Sequence, residues 1–255
     1  MYEDALGHRH EWTSRRHRTG RRPRHHGAAL GVWIGVLFMI GSACFALASL
    51  PGLASRANPT AVGITFVVGA AFFTSAAALQ HIQTLRAERT VDRAAAEPPR
   101  PASSYLVEPH RLDWWVTAVQ FVGTLFFNIT TIAALNDALD TQEQIRRVWA
   151  PDALGSVCFL IASYLAVVEV CHRRWCGHRR DRGWRIASLN LLGSVFFGLS
   201  AITSFIIPDT GEVVDAEATN AFTFLGAACF FAGAWLVVAE ALSARRTGLA
   251  EGAGA

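Results

Sequence analysis

The chain has 255 residues, 52% of them hydrophobic and only 17% charged, with a formal net charge of +3. A soluble domain usually carries about 25% charged residues. Here the charges sit in short islands between long apolar runs, which argues against an ordinary water-soluble globule and for a chain that crosses a bilayer repeatedly.

Residues 1–27 form a basic arm containing Arg9, Arg15, Arg16, Arg18, Arg21, Arg22 and Arg24, interleaved with His8, His10, His17, His25 and His26. That composition predicts disorder in isolation and attraction to anionic lipid headgroups. With Trp12 the arm's one indole, it lacks the interleaved stacking groups that nucleic-acid binding uses, and no nucleic acid is expected as partner. A helix crossing the roughly 30 Å hydrocarbon layer needs about 20 apolar residues. Six segments meet that length: 28–50, 60–82, 114–135, 151–171, 185–207 and 220–243. The first follows basic residues and contains "CFALAS", so it also resembles a secretory signal. Its apolar run of about 23 residues is long for a signal core, and it shares a pattern with the other five. The prolines all fall at span ends or in loops, and Pro151 suits the first turn of a helix.

Between the spans, 83–113 reads as a cytoplasmic linker, Pro-rich at "RAAAEPPRPASSYLVEPHR" (93–111) and flexible. Residues 172–184 are a basic loop, and 244–255 a tail. Arm, linker, fourth loop (counted with Arg185, which follows it) and tail hold seven, five, six and two Arg, whereas the alternate loops hold only Arg56, Arg146 and Arg147. The positive-inside rule then puts both termini in the cytoplasm. The opposite loops collect Asp137, Asp140, Glu143, Asp152, Asp209, Glu212, Asp215 and Glu217. The expected fold is all-α, with six transmembrane helices as three tandem hairpins (28–82, 114–171 and 185–243) in a multi-pass protein of the cell membrane.

Every span repeats one motif: Gly, then a small residue, then Phe four positions after the Gly. The pairs are Gly41 and Phe45, Gly69 and Phe73, Gly123 and Phe127, Gly155 and Phe159, Gly193 and Phe197, and Gly226 and Phe230. A second small pair follows seven and eight positions after each Gly. Offsets of four and seven return to nearly one helix face. Small residues let membrane helices approach closely where no hydrophobic effect drives association, and a Phe between two small sites enters a hollow on a neighbour. A lined pore is the alternative, but the stripe carries no charge; helix packing is the expected role.

The hairpin with its Gly-Ser-x-x-Phe-like step resembles YrhK-type small membrane domains. The stretches "FVGTLFFNITTIAAL", "VWAPDALGSVCFLIASYLAVVEV" and "LNLLGSVFFGLSAITSFIIPDTGEVVDAEATNAFTFLGAACFFAGAWLVVAE" are similar to a family of uncharacterised actinobacterial six-helix integral membrane proteins. The likeness covers roughly residues 114–243, with the first hairpin included by the repeat alone. It implies a membrane bundle and no catalytic or binding residue.

Three polar positions stand out as functional candidates. Glu169 and Glu240 each lie fourteen residues after the repeat Gly of their span, with Gln83 in the corresponding place after the second span. An acid in a span is a candidate proton or cation ligand, yet at a span end it can simply pair with Arg173, Arg174, Arg245 or Arg246. Asn128, with Gln120 and Asn190, is an amide suited to hydrogen-bonding between helices. The run Cys171-His172-Arg173-Arg174-Trp175-Cys176-Gly177-His178 offers four zinc-type donors. It lacks two separated ligand pairs and is crowded with Arg, so no metal is expected. Cys171 and Cys176 are expected as free thiols in a reducing compartment. No cofactor is implied, and no His/Asp/Glu cluster sits at depth for acid–base or metal chemistry, so an enzyme is not expected. The leading expectation is a non-enzymatic scaffold, accessory or envelope-response protein; the alternative is a small transporter or channel.

Overall fold

The computed structural model describes the backbone of residues 2–3, 9–10, 25–52, 56–94, 111–171 and 181–253, and the side chains of 29–52, 56–86, 111–171 and 181–243. Among the described residues, six helices are long and apolar enough to cross a membrane. They are α1 (His25–Ala48), α2 (Pro59–Ala94), α3 (Leu112–Ala133), α4 (Thr141–Cys171), α5 (Arg182–Thr203) and α6 (Ala216–Ala253). Ile64, Val122, Ile129, Leu154, Ile161 and Ile202 stand exposed on their outer faces. In water, such contiguous apolar exposure would drive aggregation; against lipid it is the expected boundary. The chain is a polytopic membrane protein.

The helices start earlier than the apolar runs because polar caps lie outside a hydropathy window. The Asn58 side chain accepts hydrogen bonds from the backbone N–H of Thr60 (2.9 Å) and Ala61 (3.3 Å). Asp140, Asp181 and Asp215 do the same for the N–H of Glu143 (2.8 Å), Trp184 (2.7 Å) and Ala218 (2.9 Å). Each satisfies a donor left open at a helix start. At the other extreme, α2 runs on to Ala94, through twelve residues read from sequence as linker. Residues 83–94 are rich in Gln, Leu, Arg, Ala and Glu, which favour helix. In the arm, Tyr2–Glu3 pairs antiparallel with Arg9–His10, and α1 begins at His25. The rest of the arm, residues 95–110 and the loop 172–180 lie outside the described residues.

Pro151 is not in a first turn. α4 begins ten residues before it, and a π-helical segment, Ile145–Trp149, directly precedes Ala150. The Ala150 N–H reaches back to the Ile145 carbonyl, a wider register that accommodates a following proline with no N–H and a ring that crowds the previous turn. The Thr130 hydroxyl donates to the Val148 carbonyl, stitching α3 to this segment. The Trp149 indole N–H donates to the Ala201 carbonyl on α5 (2.8 Å).

Each helix packs on the helix before and the helix after it in sequence, and α6 returns to pack on α1, closing a ring. Neighbours run antiparallel: Phe38 meets Phe73 while Phe45 meets Phe66 across α1 and α2. A Cβ built at Gly31 would meet Ala241, and one at Gly35 would meet Val238 and Ala234, across α1 and α6. The buried interior is mostly Phe, Ala, Ser and Thr. Its hydroxyls turn back onto the preceding helical turn, as in Ser42 to the Phe38 carbonyl (2.7 Å) and Ser163 to the Phe159 carbonyl (2.7 Å). With no water inside a bilayer, such bonds are how a hydroxyl stays satisfied.

Candidate functional site: an aromatic plug and a one-sided cavity

The Gly and Phe of the repeat come together reciprocally within successive helix pairs. A Cβ at Gly41 would lie 2.7 Å from the Phe73 ring and 3.0 Å from the Gly69 carbonyl oxygen, and one at Gly69 would lie 2.8 Å from the Phe45 ring. Gly123 faces Phe159, Gly155 faces Phe127, Gly193 faces Phe230 and Gly226 faces Phe197 in the same manner. The reciprocity follows from antiparallel packing. Facing glycines sit level, so each Phe, one turn or about 6 Å further along its own helix, lies on the opposite side of that level from its partner's.

The six rings therefore form two triangles. Phe45, Phe127 and Phe197, from the odd helices, have centroids 6.4, 5.9 and 5.7 Å apart. Phe73, Phe159 and Phe230, from the even helices, are 6.3, 6.0 and 5.6 Å apart. The triangles are joined by edge-on contacts of 5.6 Å (Phe45 to Phe73), 5.2 Å (Phe127 to Phe159) and 5.2 Å (Phe197 to Phe230). All six side chains are buried. Apart from Phe45 and Phe197, whose rings are tilted at 33°, these pairs meet at steep angles, a favourable quadrupolar geometry at such separations. Together they fill the middle of the ring of helices.

On one side of this plug, toward the starts of α1, α3 and α5 and the end of α4, the ring opens into a cavity of about 170 Å³. All six helices contribute to its wall. Phe38, Phe159 and Phe230 line it with apolar and aromatic surface, and Gln80, Gln83, Gln120, Asn190, Ser163, Ser194, Glu169 and Glu240 supply its polar groups. No Arg, Lys or His is among its described lining residues. No protein-family model, curated protein or solved structure matches the chain. The site is read from its own geometry alone.

Glu169 and Glu240, read from the sequence as candidate proton or cation ligands or as partners for Arg at the span ends, both line this cavity, and Glu169 is only 7% exposed. Arg173, Arg174, Arg245 and Arg246 lie outside the side chains described. Asn128 does bridge helices: its amide donates to the Thr74 hydroxyl on α2 and to the Thr124 carbonyl on its own helix (2.9 Å). Gln120 and Asn190 instead face the cavity. Cys171 is disulfide-bonded rather than a free thiol, and its partner lies outside the described residues. No group of three or more potential metal ligands occurs among the described residues.

Two features escaped the sequence reading. Asp113, taken as the end of the linker, is fully buried at the start of α3. Its carboxylate takes a two-pronged contact from Arg111, with Nε to Oδ1 at 3.0 Å and Nη2 to Oδ2 at 2.5 Å, and accepts the Trp114 N–H at 3.0 Å. An Arg-x-Asp step ahead of an apolar run, with the acid in the first helical turn, is the signal that marks it. The second is the Ser163 to Ser194 hydroxyl contact (3.0 Å) between α4 and α5. Both serines belong to the small-residue pairs of the repeat, which hid their polar role.

Proposed function

We propose that this is a non-enzymatic, multi-pass protein of the cell membrane that scaffolds or assists protein partners. In this reading it is built from three tandem helical hairpins related by duplication, with both termini in the cytoplasm. The observation that carries the reading is the double triangle of phenyl rings on the axis of the bundle. Six buried aromatic side chains held edge to face offer no polar groups to a solute, and an ion in such a layer costs several kcal/mol or more. The small-residue seams beside them suit a rigid body held by close packing. The basic arm, linker and loop fit a face that rests on anionic headgroups.

Flux measurements in proteoliposomes test this reading. The purified protein should add no leak of protons, alkali cations or small organic ions over empty vesicles. A second reading, a small transporter, is favoured by one observation: the cavity opens on a single side of a closed aromatic layer, as alternating access requires. Substrate- or voltage-dependent flux that disappears in the Glu169→Gln, Glu240→Gln double variant would establish it against the scaffold. For the orientation, reporter enzymes fused at Asn58, Asp140 and Gly211 should all read as external. A cytosolic readout at any of the three overturns the assignment.

A further inference from the structure

The two sides of the aromatic plug are built from different chemistry. Beyond the plug, away from the cavity, the bundle closes on hydroxyls whose hydrogen bonds stay within the protein. Ser49 donates to the Phe45 carbonyl (2.6 Å), Thr131 to the Phe127 carbonyl (2.8 Å), and Ser200 shares a bond with Thr223 (2.7 Å). Phe66 packs edge-on against Phe45 there (5.4 Å). The cavity side carries longer and more strongly polar groups. The amides of Gln80, Gln83, Gln120 and Asn190 border the cavity and are half-buried rather than buried, and Glu169 and Glu240 join them. Acids inside membrane spans face the bundle interior or a water-filled space, and cavities that stay dry are apolar ones. At about 170 Å³ this one has room for several waters, each taking about 30 Å³ in the liquid. A water needs about two to four polar partners, and each amide presents both donors and an acceptor. Water suits this wall whatever partners the two carboxylates have.

We propose that the cavity is a water-filled vestibule, open to one aqueous phase at the end where α1, α3 and α5 begin and closed by the phenyl layer. Its occupants are water and small neutral polar solutes. The plug stops them because six phenyl rings offer no hydrogen bonds to replace those that water gives up. The barrier between the two aqueous phases then narrows to the plug and the packed part of the bundle beyond it. The proposal holds for a scaffold and for a transporter alike, because it concerns hydration and not passage.

The test is thiol labelling of the full-length protein in lipid nanodiscs, which leave both faces in water. The five native cysteines are replaced by alanine, and labelling by the neutral, hydrophilic reagent 2-hydroxyethyl methanethiosulfonate is followed by intact mass. Gln120→Cys and Asn190→Cys each put a thiol on the cavity wall, three residues before the repeat Gly of α3 and α5. Thr223→Cys puts one at the same repeat position of α6, beyond the plug. Leu192→Cys, at a side chain 46% exposed on the bundle surface, reports lipid. The thiolate is the nucleophile and forms only where water solvates its charge, so both cavity thiols should react at least about tenfold faster than either control. Should the amide replacements fail to fold, Ala166→Cys changes the α4 wall of the cavity by one sulfur atom and must show the same advantage. A smaller advantage over either control overturns the proposal: parity with Leu192→Cys means a dry cavity, and parity with Thr223→Cys means that water does not stop at the plug.

Discussion

Replacing Gly226 by alanine is the sharpest probe of the packing described above. The added Cβ would lie 3.0 Å from the Gly193 carbonyl oxygen and overlap the Phe197 ring, with Cε1 only 2.7 Å away. Ordinary contact begins near 3.4 Å, so α5 and α6 must separate by about 0.4 Å, or the ring must turn. The ring has little freedom, for its centroid lies 5.9, 5.7 and 5.2 Å from those of Phe45, Phe127 and Phe230. Overpacking of this kind costs about 1–3 kcal/mol, and removing a helical glycine returns about 0.5–1 kcal/mol. The net expectation is a loss of about 1–2 kcal/mol, roughly 5- to 30-fold in the folding equilibrium. Gly198→Ala is the matched control on α5, because its Cβ would meet only the flexible end of Leu160, at 3.2 Å. Equilibrium unfolding in mixed micelles, followed by tryptophan fluorescence, measures both. If Gly226→Ala proves as stable as Gly198→Ala, the close approach of α5 and α6 at this level is not real.

Phe159→Ala, which removes an even-helix ring that also touches Phe127 and Phe197 of the other triangle, should cost about 3 kcal/mol. That is the low end of the range for such truncations, since lipid-to-bundle transfer carries none of the water term; the same unfolding assay reads it, and a loss below that of Gly226→Ala would contradict the plug. Asp113→Ala should cost about 2–3 kcal/mol, less than a wholly buried pair, because the Arg111 side chain is 15% exposed and water can relieve it. A stability change indistinguishable from zero would count against the pair. Asn128→Ala should cost about 0.6 kcal/mol, the size of a typical interhelical hydrogen bond in a membrane; a loss several times larger would assign Asn128 more than its bond to Thr74. A peptide of residues 1–27 should bind anionic vesicles and release as salt rises. Equal binding to neutral vesicles would remove the lipid role assigned to its seven Arg.

Much of this architecture was legible in the chain itself, for physical reasons that act locally. Each crossing needs its own run of apolar side chains, so the six spans appear as composition whatever their neighbours do. The Gly and Phe positions were visible because a helix repeats its faces every three to four residues, and a packing stripe must follow that period. Helix starts were less legible: Asn58, Asp140, Asp181 and Asp215 are polar caps, and hydropathy discards polar residues.

What the linear pattern could not decide is which helix meets which, and how far each is rotated. α1 and α6 pack together although nearly 170 residues separate their ends. The Phe side chains assemble by alternate helices into two layers because neighbouring helices run in opposite directions. Glu169 and Glu240 share one cavity although seventy residues separate them, since depth in a span says nothing of whether a side chain points to lipid, to a neighbour or to the axis. That rotation is set by close packing between helices, and it exists only once the ring has closed.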